Sequence, residues 1–227
     1  MKKVMIATPA YEGKVHAHYA TSLVDTALVL AQNGYASDIR LACGGSLLVH
    51  DRNRILMAFM DSDSDYLLCL DSDLGWPPQA VLRLLQADKE MSGGCYPARV
   101  GGGFHFRPVF NENGSIAMDK ETGLLKMAYI PAGFMMLKRS AIEKMQQHFA
   151  HTYYKPKDPR NKDTGGYMLF ALEVYEGEFW GEDYVFCRRA AEAGVDIWVD
   201  PMIEFNHAGI EGRLFDALTT NPEEAAK

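Results

Sequence analysis

The stretch YLLCLDSD, residues 66–73, decides the fold class of this chain. Its first five residues are uniformly apolar, which is typical of a short strand buried on both faces of a sheet. Asp71 and Asp73 follow at once, so they lie beyond the carboxyl end of that strand, where open α/β sheets bind ligands. The stretch therefore predicts a buried strand with a polar site at its end.

Strand and helix patterns alternate around this stretch through the first hundred residues. Residues 3–8 and 35–42 are predicted as strands, and residues 16–32 repeat apolar side chains at the spacing of an amphipathic helix. Further helices are predicted over 49–60 and 77–87. This alternation indicates an α/β fold with a largely parallel sheet and helices on both faces.

The second half of the chain has a different pattern. Short β-like runs at residues 104–110 and 124–130 flank the turn NENG at 111–114, which indicates antiparallel hairpins at the sheet edge. The remaining predicted elements are an apolar strand, two helices and a closing strand, at residues 131–136, 140–149, 182–193 and 196–199.

Composition and charge exclude several classes of protein. With 227 residues, 48% of them hydrophobic and 23% charged, the chain resembles a globular domain and not a disordered, collagen-like or disulfide-stapled protein. No run approaches the roughly 20 apolar residues that span a bilayer, so no membrane span is expected. The net charge of −7 disfavours tight binding to duplex nucleic acid. The four cysteines form no C-x-x-C pair, so a zinc site or a disulfide framework is not expected. The apolar run at the N-terminus ends at Pro9 and is too short for a signal peptide, so a cytoplasmic protein is expected.

Two acidic clusters flank the strand at 66–70. The cluster at residues 61–65 lacks the glycine and glutamate that an EF-hand loop requires, so it is interpreted as a solvent-exposed turn. Asp71 and Asp73, in contrast, can converge on a divalent cation that also binds a diphosphate. Taken alone, two aspartates at this spacing fit a capped turn equally well.

Three later features add to this pattern. Gly133 interrupts an apolar run, where a ligand can approach the backbone. Glu182 and Asp183 stand at the predicted N-terminus of a helix, a position that also suits acidic residues for electrostatic reasons. His207 follows the last predicted strand, and a single histidine is more often structural than a ligand.

Together and in this order, these four elements resemble the GT-A glycosyltransferases, in particular members similar to family 2 from bacteria or viruses. The resemblance covers nearly the whole chain, and the loop ATPAY at residues 7–11 and the segment DRNR at residues 51–54 also resemble parts of that family. It implies a GT-A fold, Rossmann-like and mostly parallel, with an added antiparallel hairpin region. It also implies one catalytic domain over 1–215, followed by a tail over 216–227. The nucleotide-binding half of that domain spans 1–100, and the acceptor-binding half spans 101–215.

The resemblance implies a metal-dependent reaction. Asp73 and His207 would bind Mn²⁺ or Mg²⁺ directly, and Asp71 would bind the ribose or reach the metal through water. The cation would stabilise the negative charge that develops on the departing diphosphate. Asp183 would act as the general base on an acceptor hydroxyl, with Glu182 positioning the sugar hydroxyls and inversion favoured.

The resemblance also implies a nucleotide-sugar donor, with a UDP-sugar favoured. Thr8, Pro9 and Tyr11 would border the base and ribose, and Arg52 or Arg54 would contact the base or the phosphates. The other donor-binding positions are expected to be Ser72, Gly133 and Trp180.

The acceptor and the oligomeric state stay open. A glycan, a small molecule and a modified nucleobase are all acceptors of related enzymes, and a virus-encoded member would work in the host cytoplasm. The basic loop at 151–166 is either a lid over the substrates or a solvated loop. The competing functions are a nucleotidyltransferase of related fold, whose glycine-rich loop is missing after the first strand, and a degenerate sugar-binding protein.

Overall fold

The computed structural model describes residues 1–101, 103–155 and 165–220. The helices are α1 (Ala17–Gln32), α2 (Leu48–Met60), α3 (Gln79–Ala87), α4 (Arg139–His148), α5 (Glu182–Glu192) and α6 (Leu214–Thr220). The strands of the main sheet are β1 (Lys3–Ala10), β2 (Ala36–Cys43), β3 (Tyr66–Leu70), β5 (Met91–Gly93), β6 (Arg107–Pro108), β7 (Leu125–Tyr129), β8 (Phe134–Lys138) and β13 (Ile197–Val199). Smaller sheets contain β4 (Leu74–Gly75), β9 (Tyr153–Tyr154), β10 (Gly166–Tyr167), β11 (Glu173–Tyr175), β12 (Glu178–Trp180), β14 (Glu204–His207) and β15 (Ile210–Arg213).

The main sheet of the described chain has eight strands in the order β2-β1-β3-β8-β5-β13-β7-β6. β1 pairs parallel with both β2 and β3, and β5 pairs parallel with β13. β8 lies antiparallel between β3 and β5, while β7 and β6 add an antiparallel edge beyond β13. The sheet therefore has the mostly parallel core and the antiparallel edge that the sequence predicts.

Apolar side chains cover both faces of this sheet. On one face α2, α4 and α5 pack with Leu67 and Cys69 of β3, and on the other face α1 and α3 pack with Leu68 and Leu70. Successive side chains of a strand point to opposite faces, so a strand in the middle of a covered sheet must be apolar at every position. β3 is accordingly buried along its whole length. This burial fixes the point at which Asp71 leaves the sheet.

The strand predicted over 131–136 differs from the structure in its bounds. β8 begins only at Phe134, because Pro131 to Gly133 form the turn that leads into it. Within the described chain, no helix is long and apolar enough to cross a membrane.

Two predicted segments at the surface have only partial structural descriptions. The predicted tail from residue 216 begins inside α6, whose Ala217 and Leu218 pack on the core, and residues 221–227 lie outside the described ranges. At the predicted lid, β9 and β10 form a small hairpin. Residues 156–164 between these two strands lie outside the description. The lid and the division into a nucleotide half and an acceptor half stay predictions.

Candidate active site

The predicted acidic residues and the C-terminal histidine lie at one edge of the main sheet. Asp71 and Asp73 follow the carboxyl end of β3, and Glu182 and Asp183 form the first turn of α5. β14 pairs antiparallel with β4 so that His207 lies opposite Leu74, the residue that follows Asp73. This small antiparallel pairing places the C-terminal histidine beside the acidic pair from the first half of the chain.

Asp71 is held in a fixed orientation by three neighbours. Its backbone N–H donates to the carbonyl oxygen of Gly133 at 2.9 Å. Its carboxylate accepts hydrogen bonds from Arg52 Nη2 and from the Tyr96 hydroxyl, each at 3.1 Å. A Cβ atom on Gly133 would lie 2.2 Å from both Asp71 Oδ2 and the Tyr96 oxygen, so any side chain at position 133 would displace at least one of these groups.

Arg52 connects the two acidic motifs of the site. Its side chain is almost completely buried, stacks on the Phe170 ring and lies 3.8 Å from Glu182 Oε1 through its Nε atom. Burial lowers the pKa of Arg52, but the charges of Asp71 and Glu182 outweigh that effect and raise it above its ordinary value. Its Nε and Nη1 atoms have no hydrogen-bond partner in the described chain. The sequence predicts this arginine at the base or phosphates of the donor, and that role stays a prediction.

Asp73 and His207 form the second polar pair of the site. Asp73 Oδ2 lies 3.4 Å from His207 Nε2, and both side chains are buried. The other ring nitrogen of His207, Nδ1, lies 2.6 Å from the carbonyl oxygen of Pro97. Since a carbonyl oxygen can only accept, Nδ1 must carry the hydrogen, and in the neutral ring Nε2 keeps a lone pair. Nε2 is thus the ring atom that can accept a hydrogen bond or act as a metal ligand.

The guanidinium group of Arg99 contacts both members of this pair. Its Nη2 atom contacts Asp73 Oδ2, and its Nε atom donates to His207 Nε2 at 3.2 Å. A positive charge therefore occupies the position that the sequence analysis assigns to a metal ion.

The chemistry of the Asp73–His207 pair fits a divalent cation. A carboxylate oxygen and a neutral imidazole nitrogen are ordinary ligands of Mn²⁺, and two atoms about 3 Å apart can bind one ion. No group of three or more His, Cys, Asp or Glu side chains in the described residues could hold a metal alone. An ion on this pair would therefore need further ligands from outside these side chains, and metal binding stays a prediction.

Asp183 and Glu182 stand side by side at the N-terminus of α5. The Asp183 carboxylate accepts a hydrogen bond from the backbone N–H of Tyr184 at 2.9 Å. Burial raises the pKa of Asp183, and the negative charge of Glu182 raises it further. A carboxylate with a raised pKa is a stronger base than an ordinary aspartate.

One cavity is lined by residues of both the α5 motif and the C-terminal histidine. It has a volume of about 350 Å³, and its lining includes Asp183, His207 and Arg99. The other lining residues are Tyr96, Ala98, His105, Pro131 and Tyr184. The base candidate Asp183 and the metal-ligand candidate His207 therefore line the same cavity, and Asp73 lies behind His207 as its paired carboxylate.

The remaining predicted donor residues lie farther from these side chains or are engaged elsewhere. The Thr8 hydroxyl is buried and lies 2.6 Å from the Tyr19 hydroxyl, whereas Tyr11 is exposed and Pro9 is half-buried. The carbonyl group of Ser72 accepts a hydrogen bond from the backbone of His16 at 2.9 Å.

Two predicted donor residues line other cavities. Arg54 belongs to a separate cavity of about 430 Å³ between β2 and α2. Trp180 belongs to two cavities of about 290 and 160 Å³, both of which share Tyr184 with the cavity of Asp183. Their contacts with a donor stay predictions.

Sequence reasoning missed four residues that line the central cavity: Tyr96, Arg99, His105 and Tyr184. Tyr184 directly follows the Glu182–Asp183 motif in the sequence, so its position beside the site could have been inferred from that motif. The others belong to the irregular chain after β5, where no periodicity indicates which way a side chain points. Contacts between residues far apart in the chain bring that segment over the site, among them the hydrogen bonds from His207 Nδ1 to the Pro97 carbonyl oxygen and from the Tyr96 hydroxyl to Asp71.

Comparison with known proteins supports the fold. No protein-family model matches the chain, and no curated protein matches it significantly. The crystal structure of A197 from STIV aligns over 91% of this chain and 85% of its own, with 17% identity and a TM-score of 0.50. GalNAc-T7, solved with UDP, GalNAc and Mn²⁺, aligns over 91% of this chain with 9% identity and a TM-score of 0.50, and the match covers 43% of that protein. These likenesses confirm the GT-A-like fold that the sequence predicts.

Proposed function

We propose that this chain is a metal-dependent glycosyltransferase that moves a sugar from a nucleoside-diphosphate sugar to an acceptor hydroxyl. The observation that supports the proposal is the shared cavity, whose lining includes both Asp183 and His207, with Asp73 lying 3.4 Å from that histidine. A base on one side and a cation-binding pair on the other are what such a transfer requires. The acceptor oxygen must lose a proton while the diphosphate leaves with negative charge.

Asp73 and His207 are the residues that would hold Mn²⁺ or Mg²⁺. When bound there, the ion supplies positive charge to the departing diphosphate. The hydrogen bond from His207 Nδ1 to Pro97 keeps the ring oriented so that Nε2 faces the carboxylate of Asp73. GalNAc-T7, which shares the fold, was solved with Mn²⁺.

Asp71 has a different task in this proposal. Its carboxylate is already engaged with Arg52 and Tyr96, so it is oriented without a bound ligand. A preoriented carboxylate can accept hydrogen bonds from the ribose hydroxyls or hold a water of the metal at little entropic cost. We favour a UDP-sugar as the donor, since the structure of GalNAc-T7 contains UDP.

Asp183 acts as the general base in this mechanism. It takes the proton of the acceptor hydroxyl while that oxygen attacks the anomeric carbon from the side opposite the diphosphate, which gives inversion. Glu182 cannot take this role equally well, because its carboxylate faces Arg52 at 3.8 Å and is engaged by its positive charge. Glu182 instead orients hydroxyl groups of the bound sugars.

The cavities beside Asp183 favour a carbohydrate as the acceptor. The smaller of them, with a volume of about 160 Å³, is lined by Tyr129, Phe179, Trp180 and Tyr184, together with Arg107 and Glu178. Sugar rings combine apolar C–H faces with hydroxyl groups, so aromatic rings mixed with charged side chains suit them. Phe179 is largely exposed at this place.

The proposal is tested first by thermal stabilisation. The protein is heated with UDP, GDP, CMP, dTDP and their sugar derivatives, once with Mn²⁺ and once with EDTA. We expect stabilisation by one base class that EDTA removes. Asp73→Ala should lose that metal-dependent stabilisation, whereas Asp63→Ala, in the exposed acidic cluster, should keep it.

Activity provides the second test. Donor hydrolysis in the presence of Mn²⁺ reports the donor half of the reaction without any acceptor, and a glycan panel then identifies the acceptor. A folded protein that binds none of the nucleotides with or without metal would refute the glycosyltransferase proposal.

A further inference from the structure

Arg99 reaches the cation-binding pair from the solvent. Its side chain is 63% exposed, whereas those of Asp73 and His207 are 5% and 10% exposed. The ligand pair is thus buried inside the protein, while most of the side chain of the arginine that contacts it is exposed to solvent. Such a side chain can leave the site without unpacking any part of the core.

The loop that carries Arg99 is held at its base by backbone hydrogen bonding. Pro97 pairs with Phe104 in an isolated β-bridge, and the backbone N–H of Ala98 donates to the carbonyl oxygen of Gly103 at 2.7 Å. Val100 at the tip is 89% exposed. The loop base also includes the Pro97 carbonyl group that binds His207 Nδ1, so movement of the arginine need not disturb the histidine.

Charge explains why Arg99 lies where it does. Without a cation, the buried carboxylate of Asp73 would have no positive partner, which is unfavourable in a site shielded from water. The Arg99 guanidinium group supplies that charge, and its Nε atom also donates to the lone pair of His207 Nε2. The guanidinium group of Arg99 therefore contacts both protein atoms, Asp73 Oδ2 and His207 Nε2, that a metal ion would use as ligands.

We propose that Arg99 is a built-in competitor of the divalent cation. In the ligand-free protein its guanidinium group occupies the site formed by Asp73 and His207, and it must leave before a metal ion can bind there. Free metal then binds poorly, and the metal binds well only together with a diphosphate, which adds ligands and negative charge. This inference rests on the proposed metal site and adds that Arg99 makes metal binding depend on the donor.

The expected size of the effect follows from the competition. The apparent affinity of a ligand falls in proportion to the fraction of protein in which its site is free. If Arg99 leaves the site open about a tenth of the time, its removal tightens the binding of free Mn²⁺ about tenfold.

The test measures Mn²⁺ binding by electron paramagnetic resonance, which detects the loss of free Mn²⁺ and requires no turnover. Wild type, Arg99→Gln and Arg99→Lys are titrated with Mn²⁺ alone and again with saturating UDP, or whichever diphosphate the thermal screen identifies. Arg40→Gln, which removes another partly exposed arginine paired with an aspartate, is the control. Asp73→Asn identifies the part of the binding that belongs to this site.

We expect Arg99→Gln to bind Mn²⁺ alone about tenfold more tightly than wild type, and Arg99→Lys to be intermediate. The difference should shrink when the diphosphate is present, and Arg40→Gln should match wild type. Equal Mn²⁺ affinity of Arg99→Gln and wild type, with the Asp73-dependent site intact, would overturn the role of Arg99 and leave the proposed function standing. No Asp73-dependent binding in any variant, with or without diphosphate, would refute the metal site and this inference together.

Discussion

The carboxylate of Asp71 occupies the space in which a Cβ atom on Gly133 would lie. The two residues also share a hydrogen bond of 2.9 Å, from the backbone N–H of Asp71 to the carbonyl oxygen of Gly133. The end of β3 therefore packs directly against the turn before β8, through Asp71 on one side and Gly133 on the other. The absence of a side chain at position 133 is what lets Asp71 reach both Arg52 and Tyr96.

Gly133→Ala tests this relationship. The added methyl group would lie 2.2 Å from Asp71 Oδ2 and from the Tyr96 oxygen, so at least one of these groups must move. We expect a loss of about 1–3 kcal/mol in the free energy of unfolding and a weaker binding of the nucleotide. Urea denaturation and the thermal screen measure the two effects.

Gly103→Ala is the matched control for this substitution. Gly103 has an ordinary φ angle, and a Cβ atom there would meet no heavy atom within 4 Å. Its stability and nucleotide binding should equal those of wild type to within about 0.5 kcal/mol. A Gly133→Ala protein that behaves like this control would show that Asp71 needs no such close approach.

Asp183→Asn separates catalysis from binding. The amide cannot accept the proton of the acceptor hydroxyl, so transfer should fall by about 10²- to 10⁴-fold. Binding of the nucleotide should stay as in wild type, because the proposed ligands of the donor are other residues. Transfer at the wild-type rate would exclude Asp183 as the base.

The same substitution should stabilise the protein at neutral pH. The pKa of Asp183 is raised in the folded state, so the folded protein favours the protonated form and the ionised form costs stability above the ordinary pKa of about 4. Removal of the charge should raise Tm at pH 7 by about 2–4 °C. The gain should disappear at a pH below 4, where the carboxylate is protonated in both states, and Asp25→Asn on the exposed face of α1 should show no gain.

Much of the fold could be predicted from the sequence because local patterns determine it. The buried strand at 66–70, the helices before it and the helix after Gly181 each have a period and end signals that fix their limits within a few residues. The insertion of β8 between β3 and β5 could not be predicted, since several apolar strands compete for the same neighbours and only packing decides among them.

The short motifs of the site could be predicted from the sequence, but the side-chain contacts between those motifs could not. Asp71, Asp183 and His207 follow or begin regular elements, so their positions at the sheet edge follow from the order of the elements. The sequence predicts Arg52 as a donor-binding residue but does not indicate that its side chain is buried and faces two carboxylates. Contacts between residues far apart in the chain leave no periodic pattern in the sequence.

Arg52→Met tests the connection between the two acidic motifs. The thioether fills much of the buried space but leaves Asp71 and Glu182 without their shared positive charge. We expect the free energy of unfolding to fall by about 3–5 kcal/mol at neutral pH. Arg40→Met, which removes a partly exposed pair with Asp38, should cost less than about 1 kcal/mol.

The comparison of the two variants tests this explanation. A loss in Arg52→Met no larger than the loss in Arg40→Met would show that Asp71 and Glu182 do not depend on their shared positive charge.

The pH dependence of transfer tests the last feature of the site, the effect of Glu182 on Asp183. A base must be ionised to act, so kcat/KM should rise with pH through the pKa of Asp183, above the value of about 4 of an ordinary aspartate. The charge of Glu182 contributes to this raised pKa after burial. Glu182→Gln should therefore shift the rising limb to lower pH, whatever it does to the maximal rate. Glu178→Gln, in the neighbouring cavity, should leave the limb where it is, and an unshifted limb in Glu182→Gln would mean that burial alone raises the pKa of the base.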